Sequence, residues 1–472
     1  MNSSDLGNWM CWKRRINWLL MALLLTHLGY GQARPGQARP GQPRPGQLSV
    51  DSSSATAKSP TSLTGSVRAT PTAPLGRVLT LDSVLAQINQ NNPLLKPFGS
   101  RAAAARAYAE GARSWMAPMV GLGTFMAPYP LQMVMDERDR GYGMVSVEQD
   151  IPNPFKQRAT QVYQQSKAAV EEAGRGVTLN RLRSDAKQLY FDWLVLEKRR
   201  RVLAENRRIL QLMKKLADIR YPYQQGSLGN VYKAEGRLYE LDNMVIMTDA
   251  EIDRKRIGLN TLMNRPTTEV FGIDTTYRPV EAVQPVPTTD ELARHRSDIL
   301  RMDRQILSMQ AGIEAQKAQT RPDFRVRFDH MQPFAGTKSM MPTQFTLMGM
   351  ISIPIVPWAS RMYKAEIKGM QQDIEAMRYE REGMLNETQG MVAQMLTDLR
   401  AVQAQLDNYE RRVIPTLRKS YDTQLIAYEQ NKSELPVVID AWETLNMTQM
   451  DYLTRLQDYY RMLVTYEKEL EK

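Results

Sequence analysis

The sequence predicts a mainly helical fold with a small β part, built twice over in one chain. Three observations predict it. Leu182, Leu189, Leu196, Leu203 and Leu210 recur every seven positions within the stretch from Arg158 to Ile219. Such a repeat keeps one apolar stripe of a long helix turned toward a partner helix. A second ladder, Leu385, Val392, Leu399, Leu406 and Val413, repeats the first at a constant offset of 203 positions. Arg158 and Arg361 share that offset, and each follows a proline-rich junction: Ile151-Pro152-Asn153-Pro154-Phe155, and Ile353-Pro354-Ile355-Val356-Pro357-Trp358. One offset held through six positions marks an internal duplication.

Bulk composition removes several function classes. The chain has 472 residues and a net charge of +11. Residues 1–78 hold nine Lys/Arg against two Asp/Glu, so most of that charge lies ahead of the duplicated part. No basic stripe with interleaved aromatics follows, and nucleic-acid binding is not expected. The single cysteine, Cys11, and one of the three histidines precede residue 32. With only His295 and His330 left, neither a disulfide nor a Cys/His metal centre is expected.

Taken in order, Lys13, Arg14 and Arg15 precede an apolar run from Ile16 to Leu28 and then Gly29-Tyr30-Gly31. This reads as a secretory signal peptide over residues 1–31. Gln32 to Gln47 continues a five-residue repeat, GQARP-GQARP-GQPRP, and Ser, Thr, Ala and Pro dominate to about Arg77. That composition cannot bury a core, so residues 32–78 read as an extended, disordered linker.

The first repeat is expected over residues 79–266. Thr80 is an N-cap candidate for a helix from Leu81 to Asn91, and a second helix spans Phe98 to Trp115. Apolar and small residues then alternate in two runs, around Val120–Met126 and Gly143–Glu148, predicting a hairpin within 117–152 closed by a polar loop, Asp136 to Gly141. The ladder helix covers 155–220, on the order of 95 Å at 1.5 Å per residue. Tyr221-Pro222-Tyr223-Gln224-Gln225-Gly226 reverses the chain into a helix over 228–264. Residues 267–289 are Pro-rich and read as an irregular joining segment.

The second repeat, 290–472, replays the first. Residues 290–320 read as one helix. Phe324, Val326 and Phe328 alternate with Arg325, Arg327 and Asp329, and Phe345 to Ile353 alternates likewise, predicting a hairpin within 322–356 whose loop holds Gly336 and Pro342. A long helix over 358–430 contains Pro415, which predicts a kink. After a turn at Asn431 to Pro436, a last helix runs over 434–471.

Each strand is expected to have about 10–12 residues, the length of a tilted strand crossing a bilayer. Four strands cannot close a barrel, and an open sheet edge in lipid leaves backbone groups without partners. Closure therefore requires other copies of the chain in a symmetric ring.

The chain from Leu79 to Lys472 resembles the TolC-like outer membrane efflux proteins, in particular the branch that includes heavy-metal and multidrug channels. Its carriers are the duplicated plan, the two strand-to-helix junctions up to Arg158 and Arg361, the turns Arg220-Tyr221…Gln225-Gly226…Asn230-Val231-Tyr232-Lys233-Ala234-Glu235 and Tyr428-Glu429-Gln430-Asn431…Val438-Ile439-Asp440-Ala441, and the closing Leu259-Asn260-Thr261-Leu262-Met263-Asn264-Arg265-Pro266. The resemblance implies a homotrimer in the outer membrane of a Gram-negative bacterium. It further implies a duplicated long-helix α-barrel in the periplasm, a transmembrane β-barrel of twelve strands, and docking to a periplasmic adaptor and an inner-membrane pump. Asn431 departs from the family's turn glycine, Pro436 and Val437 depart from its usual pair, and Ser433 stands at an Arg position with Lys432 beside it. Asp440 keeps a matching acidic position.

No catalytic constellation is visible, and no cofactor is expected. The resulting reading is a passive exit duct in outer-membrane lipid, with a periplasmic coiled-coil scaffold or adaptor lacking a pore as the alternative. Gate and adaptor-docking candidates are Tyr221, Tyr223, Gly226 and Glu235 at the first turn, and Tyr428, Lys432, Glu434 and Asp440 at the second. An Asp440 ring with Glu434 nearby would favour cations. The 29 methionines include Met133, Met135, Met144, Met340, Met341, Met348 and Met350 around the hairpins. Thioethers suit Cu(I) and Ag(I), and elsewhere Met serves as an adaptable filler. The cargo, metal ions or drugs, stays open.

Overall fold

The computed structural model describes residues 78–471 apart from 130–131, 134, 136–139, 224–225, 278–285, 335–341 and 355. The segments expected as a signal peptide and, up to residue 77, as a linker, most of the Asp136–Gly141 loop, Gly336, Met340 and Met341 lie outside the described residues.

The chain is organised on two long helical rods. α3, Pro154–Arg220, has 67 residues. Its start is set by Asn153, whose side chain accepts from the Phe155 amide at 3.0 Å, with Pro154 in the first turn where a missing N–H costs nothing. Leu182, Leu196, Leu203 and Leu210 of the ladder are all buried, and so are Leu385, Val392, Leu399 and Leu406 of its copy. The second rod, expected as one long helix over 358–430, is helical without a break from Pro357 to Glu429. α7, Pro357–Asn408, passes through a π-helical turn, Tyr409–Val413, into α8, Ile414–Glu429. Pro415 has no N–H to give and its ring crowds the carbonyl four residues back, so the widened turn absorbs the defect.

Shorter helices line these rods as antiparallel partners. α1 is Leu81–Asn91 and α2 is Lys96–Gly111, the latter ending before the expected Trp115. α4, Leu228–Leu262, returns along α3, with Arg207 paired to Asp242 and Lys255 to Asp192. α5, Thr289–His295, and α6, Ser297–Ala318, replace the single helix expected over 290–320. The break is Arg296, extended at φ −76°, ψ 123°, whose guanidinium bonds Asp298 and both the carbonyl and carboxylate of Glu469. α9, Leu435–Leu470, then continues along α3 where α6 leaves off: Ser308 meets Ser166, whereas the Lys468 carbonyl meets Asn180 and Glu467 meets Lys187. Asn92 does in the first repeat what Arg296 does in the second. It is extended at φ −65°, ψ 122° after α1, and its side chain donates to the Leu262 carbonyl at 2.8 Å.

A two-residue parallel pair escapes the sequence reading. β1, Val78–Leu79, pairs with β4, Gly272–Ile273, inside the joining segment expected to be irregular. Tyr190 covers it, its hydroxyl donating to the Leu79 and Asp274 carbonyls. The core around it gathers Val84, Ile88, Trp193, Phe271, Leu259, Val392, Leu399 and Tyr460. A second core near the helix turns holds Leu203, Leu210, Met213, Val231, Leu241, Tyr421, Val438, Ile439 and Trp442.

The two hairpins join in one antiparallel sheet of order β2-β3-β5-β6: Met119–Phe125, Tyr142–Ile151, Phe324–Pro333 and Gln344–Ile351. The strands have 7, 10, 10 and 8 residues, so two fall short of the expected length. Met126, expected in the first strand, has φ 51° and ends it instead.

Candidate functional site

The two helix turns come together at one end of the rods. Tyr221–Tyr223 forms a 3-10 turn after α3, and Gly226 and Ser227 lead into α4. The second turn passes through Asn431 at φ 60°, a left-handed position that Asn tolerates in place of Gly. There the Lys432 amide donates to the Ala427 carbonyl at 2.8 Å, closing the end of α8. Arg220 ties the turns: Nη2 donates to the Glu429 carbonyl at 2.9 Å and the guanidinium lies 4.1 Å over the Tyr428 ring. A cleft of about 620 Å³ lies between them, lined by Arg220, Gly226, Asn230, Tyr428, Ser433 and Glu434 among others.

The candidate residues divide. Tyr221, Tyr223, Lys432, Glu434 and Asp440 are exposed. Tyr428 is buried beneath Arg220, so within one chain it packs the turn and keeps only a small surface toward the cleft. Glu235 accepts from the Tyr239 hydroxyl at 3.0 Å, which raises the Tyr239 pKa by favouring its protonated form. Asp440 is held by Lys233 Nζ at 3.3 Å, and one turn further along Arg237 Nε meets Glu443 at 2.6 Å. Arg220, Lys233 and Arg237 carry these contacts, and the candidate set omitted them. Their signal was present: Lys233 and Arg237 on α4 stand four apart, matching Asp440 and Glu443 three apart on α9.

The sheet separates two chemistries. Cross-strand register places Val120, Leu122, Val145, Val147, Phe324, Val326, Phe328, Phe345, Leu347 and Ile351 on one face. All ten are exposed. The opposite face carries Glu148, Asp150, Arg325, Arg327 and Asp329, cross-linked as Arg325 with Glu148 and Asp150, and Arg327 with Asp329. The outer strands β2 and β6 each have one edge with no strand beside it among the described residues. Among the described residues there is no cluster of His, Cys, Asp or Glu suited to a metal ion, and no helix long and apolar enough to cross a membrane.

No family model and no curated protein matches the sequence. Solved structures do match in fold. The outer-membrane channel OprN aligns with a TM-score of 0.66 at 17% identity, over 83% of this chain and 89% of that one. CusC, described in terms of folding and transmembrane channel formation, aligns with 0.66 at 14% identity, over 83% and 91%. The outer membrane protein VceC of Vibrio cholerae aligns with 0.63 at 16% identity, over 83% and 95%. The fold expected from the sequence, long helices with a small β part like that of the TolC-like channels, is the fold observed.

Proposed function

We propose that a chain with this fold is one subunit of an outer-membrane exit duct, a homotrimer that passes cargo delivered by an inner-membrane pump through a periplasmic adaptor. One observation carries the reading: a 4-stranded sheet with an exposed apolar face, a charged opposite face and, among the described residues, two edges with no strand beside them. In water an apolar face of ten exposed large side chains is a liability. In lipid it is the outer wall of a barrel, and the charged face lines the wet lumen. The free edges then require neighbours, since lipid offers no hydrogen bonds. Three copies would supply twelve strands, and the helical rods would continue the path into the periplasm. Trp115, Phe155 and Trp358 stand exposed where strands meet helices, the level at which aromatic side chains favour a membrane–water interface.

The duct is passive, and its narrowing lies at the helix turns. Asp440 on each copy would form an acidic ring there, with Lys233 as the counter-charge that sets how tightly α4 and α9 close. The direct test is fractionation followed by planar-bilayer recording. The duct reading expects a heat-resistant oligomer in the outer membrane and stepwise ion currents from it. A monomer in the periplasm that gives no current would overturn it and favour the pore-less scaffold. Sensitivity of a deletion strain to metals, against dyes and detergents, separates the cargo classes.

A further inference from the structure

An exposed face of α4 repeats positions that are buried elsewhere in the same chain. α4 and α9 are equivalent helices, starting at Leu228 and Leu435, 207 positions apart. On α4, Leu228, Tyr232, Tyr239, Ile246 and Ile257 follow at spacings of 4, 7, 7 and 11, which puts them on one side of the helix, and all five are exposed. Their equivalents on α9, Leu435, Ile439, Asn446, Leu453 and Val464, are all buried, on the helix that packs along α3. The α4 stripe has the spacing of a packing seam and lacks its helix.

Within the chain, α3 supplies the seat for the second repeat. Ser166 bonds Ser308 of α6 at 2.8 Å, Asn180 donates to the Lys468 carbonyl at 2.9 Å, and Lys187 pairs with Glu467 of α9. At the duplication offset of 203, these three positions fall on Gly369, Gly383 and Gly390 of α7. Each glycine is exposed, and a Cβ added there would meet nothing within 4 Å. A glycine inside an exposed helix weakens it relative to alanine, so glycine at all three seat positions calls for a reason. Asp192, which accepts from Gln457 and Arg461 of α9, likewise becomes Met395. α2 and α6 correspond at 204 positions, Asn92 with Arg296 and Pro118 with Pro322, so the exposed Ala104 stands where Ser308 does.

We propose that the outer sides of α2 and α4 seat on α7 and α8 of a second copy of this chain, in the register of the duplication, with Ala104 of one copy against Gly369 of the next. The inference rests on the duct reading and names which helix faces of the subunits meet and by what chemistry. Helix contacts run α2–α3–α6–α7 nearer the sheet and α4–α3–α9–α8 nearer the turns, the same order as β2-β3-β5-β6. The α4 stripe and the α7 glycines therefore lie at opposite ends of one row, where the next copy continues it. The two kinds of junction differ. Within the chain the helices are joined by polar bonds. Between copies the junction is apolar and closer, the glycines allowing helix axes about 8 Å apart rather than about 10 Å.

The test is disulfide trapping in the outer-membrane fraction, with Cys11→Ser in every variant so that the introduced thiols are the only ones. Ala104→Cys with Gly369→Cys is expected to give covalent bands of two and three chains on a non-reducing denaturing gel, because close-packed helices bring such positions within disulfide reach. The Gly369→Cys chain on its own should give none. Ser166→Cys with Ser308→Cys, the equivalent pair inside one chain, is the control and should stay at single-chain size. Gly369→Leu with Gly383→Leu is expected to abolish the heat-resistant oligomer; the control pair, built into that variant and still closing, shows that its subunit folds. An oligomer that persists with leucine at both positions, or that yields only single-chain bands from the Ala104/Gly369 pair, overturns the proposal and leaves the α4 stripe to a helix of the adaptor. A trapped oligomer that carries no current keeps the seam and refutes the duct.

Discussion

Asp192 sits almost wholly out of water in the middle of α3, and its carboxylate joins three helices. Lys255 of α4 lies 2.6 Å from one oxygen, while Gln457 and Arg461 of α9 reach the other at 2.8 and 3.2 Å. Burial opposes the charged form, yet the bonds from Lys255, Gln457 and Arg461 together hold the carboxyl below its ordinary range. A depressed carboxylate adds stability above its unfolded pKa and loses it as pH falls through the folded value. Asp192→Asn is therefore expected to cost about 3 kcal/mol at neutral pH, because it leaves buried cations unmatched. It is also expected to flatten the acid limb of stability below about pH 4. Urea unfolding followed by helical signal at pH 7 and pH 3 checks both, and an equal loss at the two pH values would refute the assignment. Asn431 supplies a second residue-level test. At φ 60°, Asn431→Gly should be neutral, whereas Asn431→Ala should lower the unfolding midpoint by an amount worth about 1 kcal/mol. Tyr428 marks the limit of reading residues singly. Nothing in a tyrosine's sequence neighbourhood says whether a nearby arginine will cover it.

Between elements, the Lys233–Asp440 and Arg237–Glu443 pairs set the spacing of α4 and α9 near the turns. With Asp440 69% exposed, such a pair is worth less than about 1 kcal/mol. It can bias an opening without holding the fold. Lys233→Glu should raise the open-channel probability several-fold, and Lys233→Asp combined with Asp440→Lys should return it toward wild type. Asp440→Asn should reduce cation preference. Bilayer recordings at low salt read all three, and an unchanged selectivity for Asp440→Asn removes that residue from the gate. The elements carrying these contacts were largely legible. The ladder residues announce α3 and α7 through a period that only a packed helix imposes, and Thr80 announces α1 by capping chemistry, its hydroxyl accepting from the Ser83 amide. The break at Arg296 was not legible, because arginine favours helices. What breaks the helix there is a tertiary demand, the bond to Glu469 far along the chain. β1 and β4 were invisible for a different reason: two residues are too few to show a period. Pro415 disclosed a defect but not its form, since a kink and a π turn answer the same missing donor.

For the whole molecule, the question is which solvent each face of the sheet meets, and two adjacent residues decide it. Thr346 and Leu347 are neighbours on β6, so they point to opposite faces: Thr346 opposes Asp329 and Leu347 opposes Phe328. Leu347 is 67% exposed in the isolated chain, and a soluble sheet would accept arginine there almost as readily as at Thr346. A barrel in lipid would not. Leu347→Arg places a cation in hydrocarbon at a cost of about 2–4 kcal/mol near the midplane, less toward the interfaces. The closed ring multiplies that cost by the number of subunits. The expected result is loss of the heat-resistant oligomer from the outer membrane and accumulation of unassembled chain. Thr346→Arg points into the lumen, so the oligomer should persist and its conductance should shift toward anions. The contrast is insensitive to helix packing, because both sites lie on one short strand far in sequence from either core. Equal tolerance of the two arginines would mean that water bathes both faces, and the free edges of β2 and β6 would then need no neighbouring subunit.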